Sequence, residues 1–178
     1  GINYSKNFAL ADGLVKTDYE ELLENLPDSL TSKLVSAEKL AIAWIETRTE
    51  KEMNLFKKLV TITHDIIDDA FSEKVIIPGK TTTEDVVWFM RQKVTDMGLE
   101  TWFHPTIDLQ RSNQKLKSHI YSFSKGDTDK VIQKGDLLHC DFGITYIGLN
   151  TDCQQHAYVL KDEETEVPEF LAMAFKKG

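Results

Sequence analysis

Met53, Phe56, Leu59, Val60, Ile66, Ile67 and Phe71 recur at three- and four-residue steps, with Thr63 on the same stripe. That period predicts one long amphipathic helix covering a face of a sheet. Thr49 and Glu52 stand ahead of it at the spacing of a capping box. "TTEDVVWFMRQKVTDMG" predicts a second capped helix that stops near Gly98. Two shorter helices are expected, one over Thr17–Pro27 and stopped by Pro27, the other over "SAEKLAIAWIET" with Ser36 as N-cap. "DSLTSK" and "IPGKT" read as a loop and a turn. After Gly98 the period changes. "LETWFHPTIDLQ" reads as extended, and "DLLHCDFGITY" and "NTDCQQHAYVL" read as two strands about a short turn. "RSNQKLKSH" and "SKGDTDK" are polar loops, and "DEETEVPEFLAMAFKKG" is an acidic loop opening into a helix. The order predicts an α+β fold, an antiparallel sheet with helices on one face.

Composition narrows the class. The chain has 178 residues, 41% of them hydrophobic and 28% charged, as in ordinary globular proteins. Its net charge of −8, with no basic cluster, argues against nucleic acid as a partner. No apolar run approaches the roughly 18 residues that span a bilayer, and "GINYSKNFAL" lacks the features of a signal peptide. Gly1 stands without a preceding Met, as after processing. Two cysteines, Cys140 and Cys153, do not make a disulfide framework. Reduced thiols point to a cytoplasmic protein.

The strand pair poses the chemical question, because each strand carries an aspartate inside an apolar run. With Tyr146 and Ile147 at the turn centre, paired positions sum to 293, and Asp141 faces Asp152. Directly opposed side chains have Cβ atoms roughly 4.5–5.5 Å apart, and like charges there are destabilising. A divalent cation, or two, resolves the repulsion, since hard and borderline metals favour carboxylate oxygen. The competing reading is a hairpin whose aspartates both face solvent. The same register pairs Cys140 with Cys153 on the other face, as two buried thiols or a cross-strand disulfide.

"KGDLLHCDFGITYIGLNTDCQQHAYVL" resembles the metal-binding hairpin of the M24 metallopeptidases, which include methionine aminopeptidases, Xaa-Pro aminopeptidases and prolidases. The shared pattern is Gly-Asp, a hydrophobic stretch, Asp-Phe-Gly, and a second Asp 11 residues after the first, as in Asp141 and Asp152. "LVSAEKLAIAWIETRTEKEMNLFKKLVTITHDIIDDAF" resembles the entry to the catalytic domain of the Xaa-Pro group. Together these cover residues 34–160. Protein kinases share Asp-Phe-Gly, but no Gly-rich loop or His-Arg-Asp segment precedes it here.

The resemblance implies the first half of a pita-bread domain over 36–178, preceded by the tail of a creatinase-like N-terminal domain over 1–35. It implies two divalent metal ions (Mn, Co, Zn or Fe), with Asp141 as first ligand and Asp152 as the bridging one. The implied activity is a hydrolase removing an N-terminal residue from a peptide, of the Xaa-Pro type. The family's substrate-contacting histidine corresponds to His119 or His104.

Some features depart from the pattern. The family completes its site with a histidine and two glutamates well downstream, whereas only 26 residues follow Asp152 here. His156 shares Asp152's face but does not match the third ligand, and Gln154-Gln155 replaces a common Thr-Arg. Glu163, Glu164, Glu166 and Glu169 read as a solvated loop and helix start. These 178 residues alone are therefore expected to bind metal weakly and turn over little peptide. The alternatives are a non-catalytic pita-bread module that binds a peptide or protein, and a metal-free α+β interaction domain. An uncovered sheet edge or apolar face would favour a homodimer.

Overall fold

The computed structural model describes residues 1–111 and 131–177. The chain divides into two compact units, Gly1–Glu50 and Lys51–Gly178.

The N-terminal unit carries a 3-10 turn at Ala9–Ala11 and three helices: α1 (Lys16–Asn25), α2 (Asp28–Thr31) and α3 (Glu38–Glu46). α2 is a single turn where a loop was expected. The carbonyl of Pro27 accepts from the amides of Leu30 and Thr31, closing a turn too short to show a period. Ile2 bridges to Ser36, and the Ser36 Oγ accepts from the Glu38 amide, which fixes the entry to α3.

The C-terminal unit holds α4 (Glu50–Ala70), of which all but the first residue lies within it, and α5 (Thr83–Asp96). The capping box of α5 is present, with Asp85 N 3.1 Å from Thr82 Oγ1 and Thr82 N 2.8 Å from Asp85 Oδ2. α5 ends at Asp96 with Met97 as its C-cap, and Gly98 follows at φ +68.

Among the described residues, six short strands make two antiparallel sheets. β1 (Glu100–Thr101), β4 (Ile144–Tyr146) and β5 (Leu149–Asn150) form one in the order β1-β4-β5. β2 (Thr106–Gln110), β3 (Leu137–Phe142) and β6 (Cys153–Tyr158) form the other in the order β2-β3-β6. α6 (Glu169–Lys177) follows an exposed acidic loop. Burial alternates along β3: Leu138, Cys140 and Phe142 are buried, while Leu137, His139 and Asp141 are only partly so. The buried set packs with Leu59, Ile66 and Ile67 of α4 and Val86, Met90 and Val94 of α5 in one core. α4 and α5 thus cover one face, and the other carries His139 and Asp141.

The hairpin turn is centred one residue later than its expected position. Ile147 and Gly148, at φ +49 and +73, occupy its centre, and Tyr146 pairs with Leu149. Two positive φ values at the central positions are the type I′ signature. Paired positions therefore sum to 295, so that Asp141 faces Gln154 and Cys140 faces Gln155. Both cysteines are free and buried.

Candidate metal centre

Asp152 sits where the hairpin passes from one sheet to the other. The ladder of β3 and β6 ends at the Phe142–Cys153 pair, and β4–β5 pairing resumes at Thr145–Asn150. Gly143 and Thr151 occupy the break. A Cβ on Gly143 would lie 2.0 Å from the Thr151 carbonyl oxygen, so only glycine permits that approach. Thr151 is fully buried, and its Oγ1 accepts from the Ile144 amide at 2.9 Å. The same oxygen lies 2.8 Å from Thr63 Oγ1 on α4, and Thr63 donates in turn to the Leu59 carbonyl at 2.8 Å. Helix, glycine and threonine together fix the chain one residue before Asp152.

Extended by one step, the register sets Asp152 beside Gly143, diagonal to Asp141 on the same face. Diagonal neighbours are within reach of extended side chains. The carboxylates do meet. Burial pushes the Asp141 carboxyl above the ordinary carboxylate range, and the Asp152 charge pushes it further the same way; His139 opposes both. Asp141 Oδ1 is buried with no hydrogen-bond partner among the described residues. An orphaned carboxylate oxygen next to a second carboxylate is the donor set a divalent cation neutralises. Among the described residues, however, no group of three or more His, Cys, Asp or Glu side chains could share one ion.

The rest of the face is polar. Thr106, Asp141 and Gln154 form one cross-strand row, and Asp108, His139 and His156 form the next. His139 Nε2 lies 3.0 Å from Gln154 Oε1, and its Nδ1 lies 3.8 Å from Asp108 Oδ2. The His139 and His156 ring centres are 4.8 Å apart, and the His156 ring lies 5.1 Å from that of Phe175 of α6, tilted by 58°. Burial, and secondarily the His139 charge, hold the His156 imidazole toward its neutral form. Strand alternation carries the signal for His139, which stands two residues before Asp141.

His104 lies just ahead of β2, exposed, with Nδ1 2.8 Å from Arg91 Nη1 on α5. Arg91 donates, so His104 Nδ1 accepts. His119 lies outside the described residues. Glu163, Glu166 and Glu169 are exposed, and Glu164 accepts from the Lys161 amide and the Tyr158 hydroxyl. A further pair has no local signal in the sequence. Arg111, beyond β2, clamps the fully buried Asp136, ahead of β3, in a bidentate bridge of 2.7 and 2.8 Å.

The sequence model of metallopeptidase family M24 matches residues 54–178. Several solved structures resemble the fold, among them the following three. An X-Pro aminopeptidase from Thermotoga maritima MSB8 aligns at TM-score 0.54 and 18% identity, over 79% of this chain and 41% of its own. Proline aminopeptidase P II from Yersinia pestis aligns at 0.58 and 15%, over 88% and 34%. A recombinant prolidase from Thermococcus sibiricus aligns at 0.53 and 16%, over 86% and 41%. The chain thus spans 34–41% of the length of these enzymes. No curated protein matches the sequence. No helix among the described residues is long and apolar enough to cross a membrane.

Proposed function

The chain belongs to metallopeptidase family M24, and from that premise we propose that it supplies the carboxylate half of the metal centre in an Xaa-Pro-type aminopeptidase or dipeptidase. Within this reading, residues 36–178 are the first half of a pita-bread catalytic domain and residues 1–35 the tail of a creatinase-like one. One observation carries it: Asp141 and Asp152 converge, and one buried oxygen of Asp141 has no partner among the described residues. These carboxylates would hold two divalent ions, Mn, Co, Zn or Fe. When bound, such ions polarise a scissile carbonyl and activate water.

This chain's own residues have the remaining tasks. Asp141 and Asp152 orient the centre, held by Gly143 and by Thr151 on Thr63. His119, or else His104, contacts the peptide. Catalytic metal sites use three or more protein ligands, and the described residues offer two converging carboxylates. These 178 residues alone therefore turn over little peptide. The second reading is a non-catalytic module that binds a peptide or protein; the presence of both Asp141 and Asp152 leans against it, since such a module has no need of a like-charge pair. The protein works in the cytoplasm, where both thiols stay reduced, on peptides rather than nucleic acid, and as a homodimer.

Mn2+ binding, read by electron paramagnetic resonance, tests the assignment. The wild-type chain should take up Mn2+, and Asp141→Asn and Asp152→Asn should each abolish uptake. Equal binding by the three proteins would remove the metal reading. Turnover of an Ala-Pro-led or Met-led peptide by the 178 residues alone would overturn the division of the site.

A further inference from the structure

His139 and His156 face each other directly across β3 and β6, on the same open face as Asp141. We propose that this cross-strand pair is a second, nitrogen-donor site that binds a borderline divalent transition ion, of the Zn2+, Ni2+ or Cu2+ class, separately from the carboxylate pair.

Ring spacing is the first support. Two imidazoles on one ion, with metal–nitrogen bonds of about 2.0–2.1 Å, ring centres about 1.1 Å behind the nitrogens and an angle of about 90–109° at the metal, have centroids roughly 4.5–5.2 Å apart. The observed separation is 4.8 Å. The spacing is that of a chelating pair, and His139 Nε2, which now meets Gln154 Oε1, must turn toward His156 to close it.

Hydrogen bonding is the second. A ligating histidine commonly donates its other ring N–H to a carboxylate, which orients the ring and raises its basicity. Asp108 Oδ2 stands 3.8 Å from His139 Nδ1, on the side away from Gln154, and can fill that role. His139 Nε2 then becomes the donor. It now meets Gln154 Oε1 at 3.0 Å, and that side chain is exposed, free to swing aside or to add an oxygen ligand. Neither nitrogen of His156 has a hydrogen-bond partner among the described residues, and Phe175 covers one side of its ring. No third His, Cys, Asp or Glu joins the pair among those residues. Water, Gln154 or an incoming ligand would complete the shell.

The donor chemistry separates the two sites. Carboxylates select hard ions such as Mn2+, whereas imidazole suits Zn2+, Ni2+ and Cu2+. Along β3, His139 lies two residues from Asp141, roughly 6.5–7 Å. A cation there adds positive charge beside the carboxylate pair, where an anionic group of a peptide would be attracted.

The test is Ni2+ titration of the tag-free chain by calorimetry, with Cu2+ paramagnetic resonance to count nitrogen donors. Wild type should saturate with Ni2+ and show two coordinated nitrogens with Cu2+. His139→Gln and His156→Gln should each weaken Ni2+ binding about ten-fold or more and leave one nitrogen in the Cu2+ spectrum. The double variant Asp141→Asn/Asp152→Asn should bind Ni2+ as wild type does, although it has lost Mn2+. Imidazole 15N resonances of wild type under Zn2+ give an answer that needs no variant: both rings should shift. Absence of Ni2+ saturation, wild-type affinity in either histidine variant, unmoved imidazole resonances, or loss of Ni2+ binding with the aspartates would each overturn the proposal. Because Mn2+ reports on the carboxylates alone, failure here leaves the peptidase reading standing, and the converse also holds.

Discussion

Replacing Gly143 with alanine should disrupt both stability and the candidate centre. The new Cβ would lie 2.0 Å from the Thr151 carbonyl oxygen, 3.1 Å from the Thr151 carbonyl carbon and 3.1 Å from Phe103 Cε1. The closest of these is backbone, so no side-chain rotation relieves it, and the Thr151 peptide must withdraw by more than about 1 Å to reach ordinary packing distance. Thr151 is held by the bond from its own amide to the Ile144 carbonyl at 2.9 Å, and its side chain by the Ile144 amide and Thr63 Oγ1. Withdrawal stretches or breaks at least two buried hydrogen bonds, each worth about 1–3 kcal/mol when a buried group is left unpaired. The expected loss is about 3–5 kcal/mol, in the range reserved for specific mechanisms. Urea denaturation followed by tryptophan fluorescence measures it. Gly98→Ala is the control: its φ of +68 strains a side chain, but nothing lies within 4 Å of its Cβ, so about 1–2 kcal/mol is expected. Because Asp152 follows Thr151, Gly143→Ala should also weaken Mn2+ uptake and Gly98→Ala should not. A Gly143→Ala protein within about 1 kcal/mol of wild type, with intact Mn2+ uptake, would refute the role given to this contact.

Asp141's carboxyl is raised in the folded state, so the folded protein holds the proton more tightly. The stability this gives is fully present below about pH 4, the unfolded carboxylate range, and is lost as pH rises through the folded pKa. Thermal unfolding of metal-free protein should show this decline, Asp141→Asn should flatten it, Asp152→Asn should only reduce it because burial is the larger cause, and Mn2+ should offset it in wild type only. Arg111→Ala strands the Asp136 carboxylate, which is 0% exposed, and should destabilise by about 3 kcal/mol or more. Arg111→Lys keeps the charge but loses the fork, so its smaller loss in urea denaturation separates charge from geometry. Burial pushes the Cys140 thiol up to about 12 and raises that of Cys153. Neither should react with a disulfide reagent at neutral pH until denaturant is added, and rapid labelling of the native chain would contradict their placement.

How far the sequence reveals this arrangement depends on the range of each interaction. α4 and α5 follow from local periodicity and, for α5, from a capping box that is present. α2 has only four residues behind Pro27 and so carries no period to read. Arg111 and Asp136 are 25 residues apart, and nothing local couples them. The hairpin turn misleads for a definite reason. A β-branched residue disfavours positive φ, yet Ile147 adopts +49 beside Gly148 at +73. The glycine in second place, with its freedom at positive φ, is the cue that selects this centre.

The shift in register, rather than removing the aspartates from each other, explains how they coexist. Moving the turn centre by one residue moves every pairing by two, and side chains repeat with period two. Asp141 and Asp152 therefore keep a common face while passing from direct opposition to a diagonal. Direct opposition within a continuous ladder would force two carboxylates together at a fixed Cβ spacing. On the diagonal, at the break by Gly143 and Thr151, the carboxylates converge through their side chains from a partly buried strand and an exposed corner. The buried partner, Asp141, bears the penalty as a raised pKa and an unpartnered oxygen, and the exposed one leaves an approach for a cation. A buried pair without such an approach would only destabilise the fold, and the mutual repulsion of a fully exposed pair would be screened by solvent. The half-buried diagonal lies between those limits, which is the physical reason for proposing a cation site there.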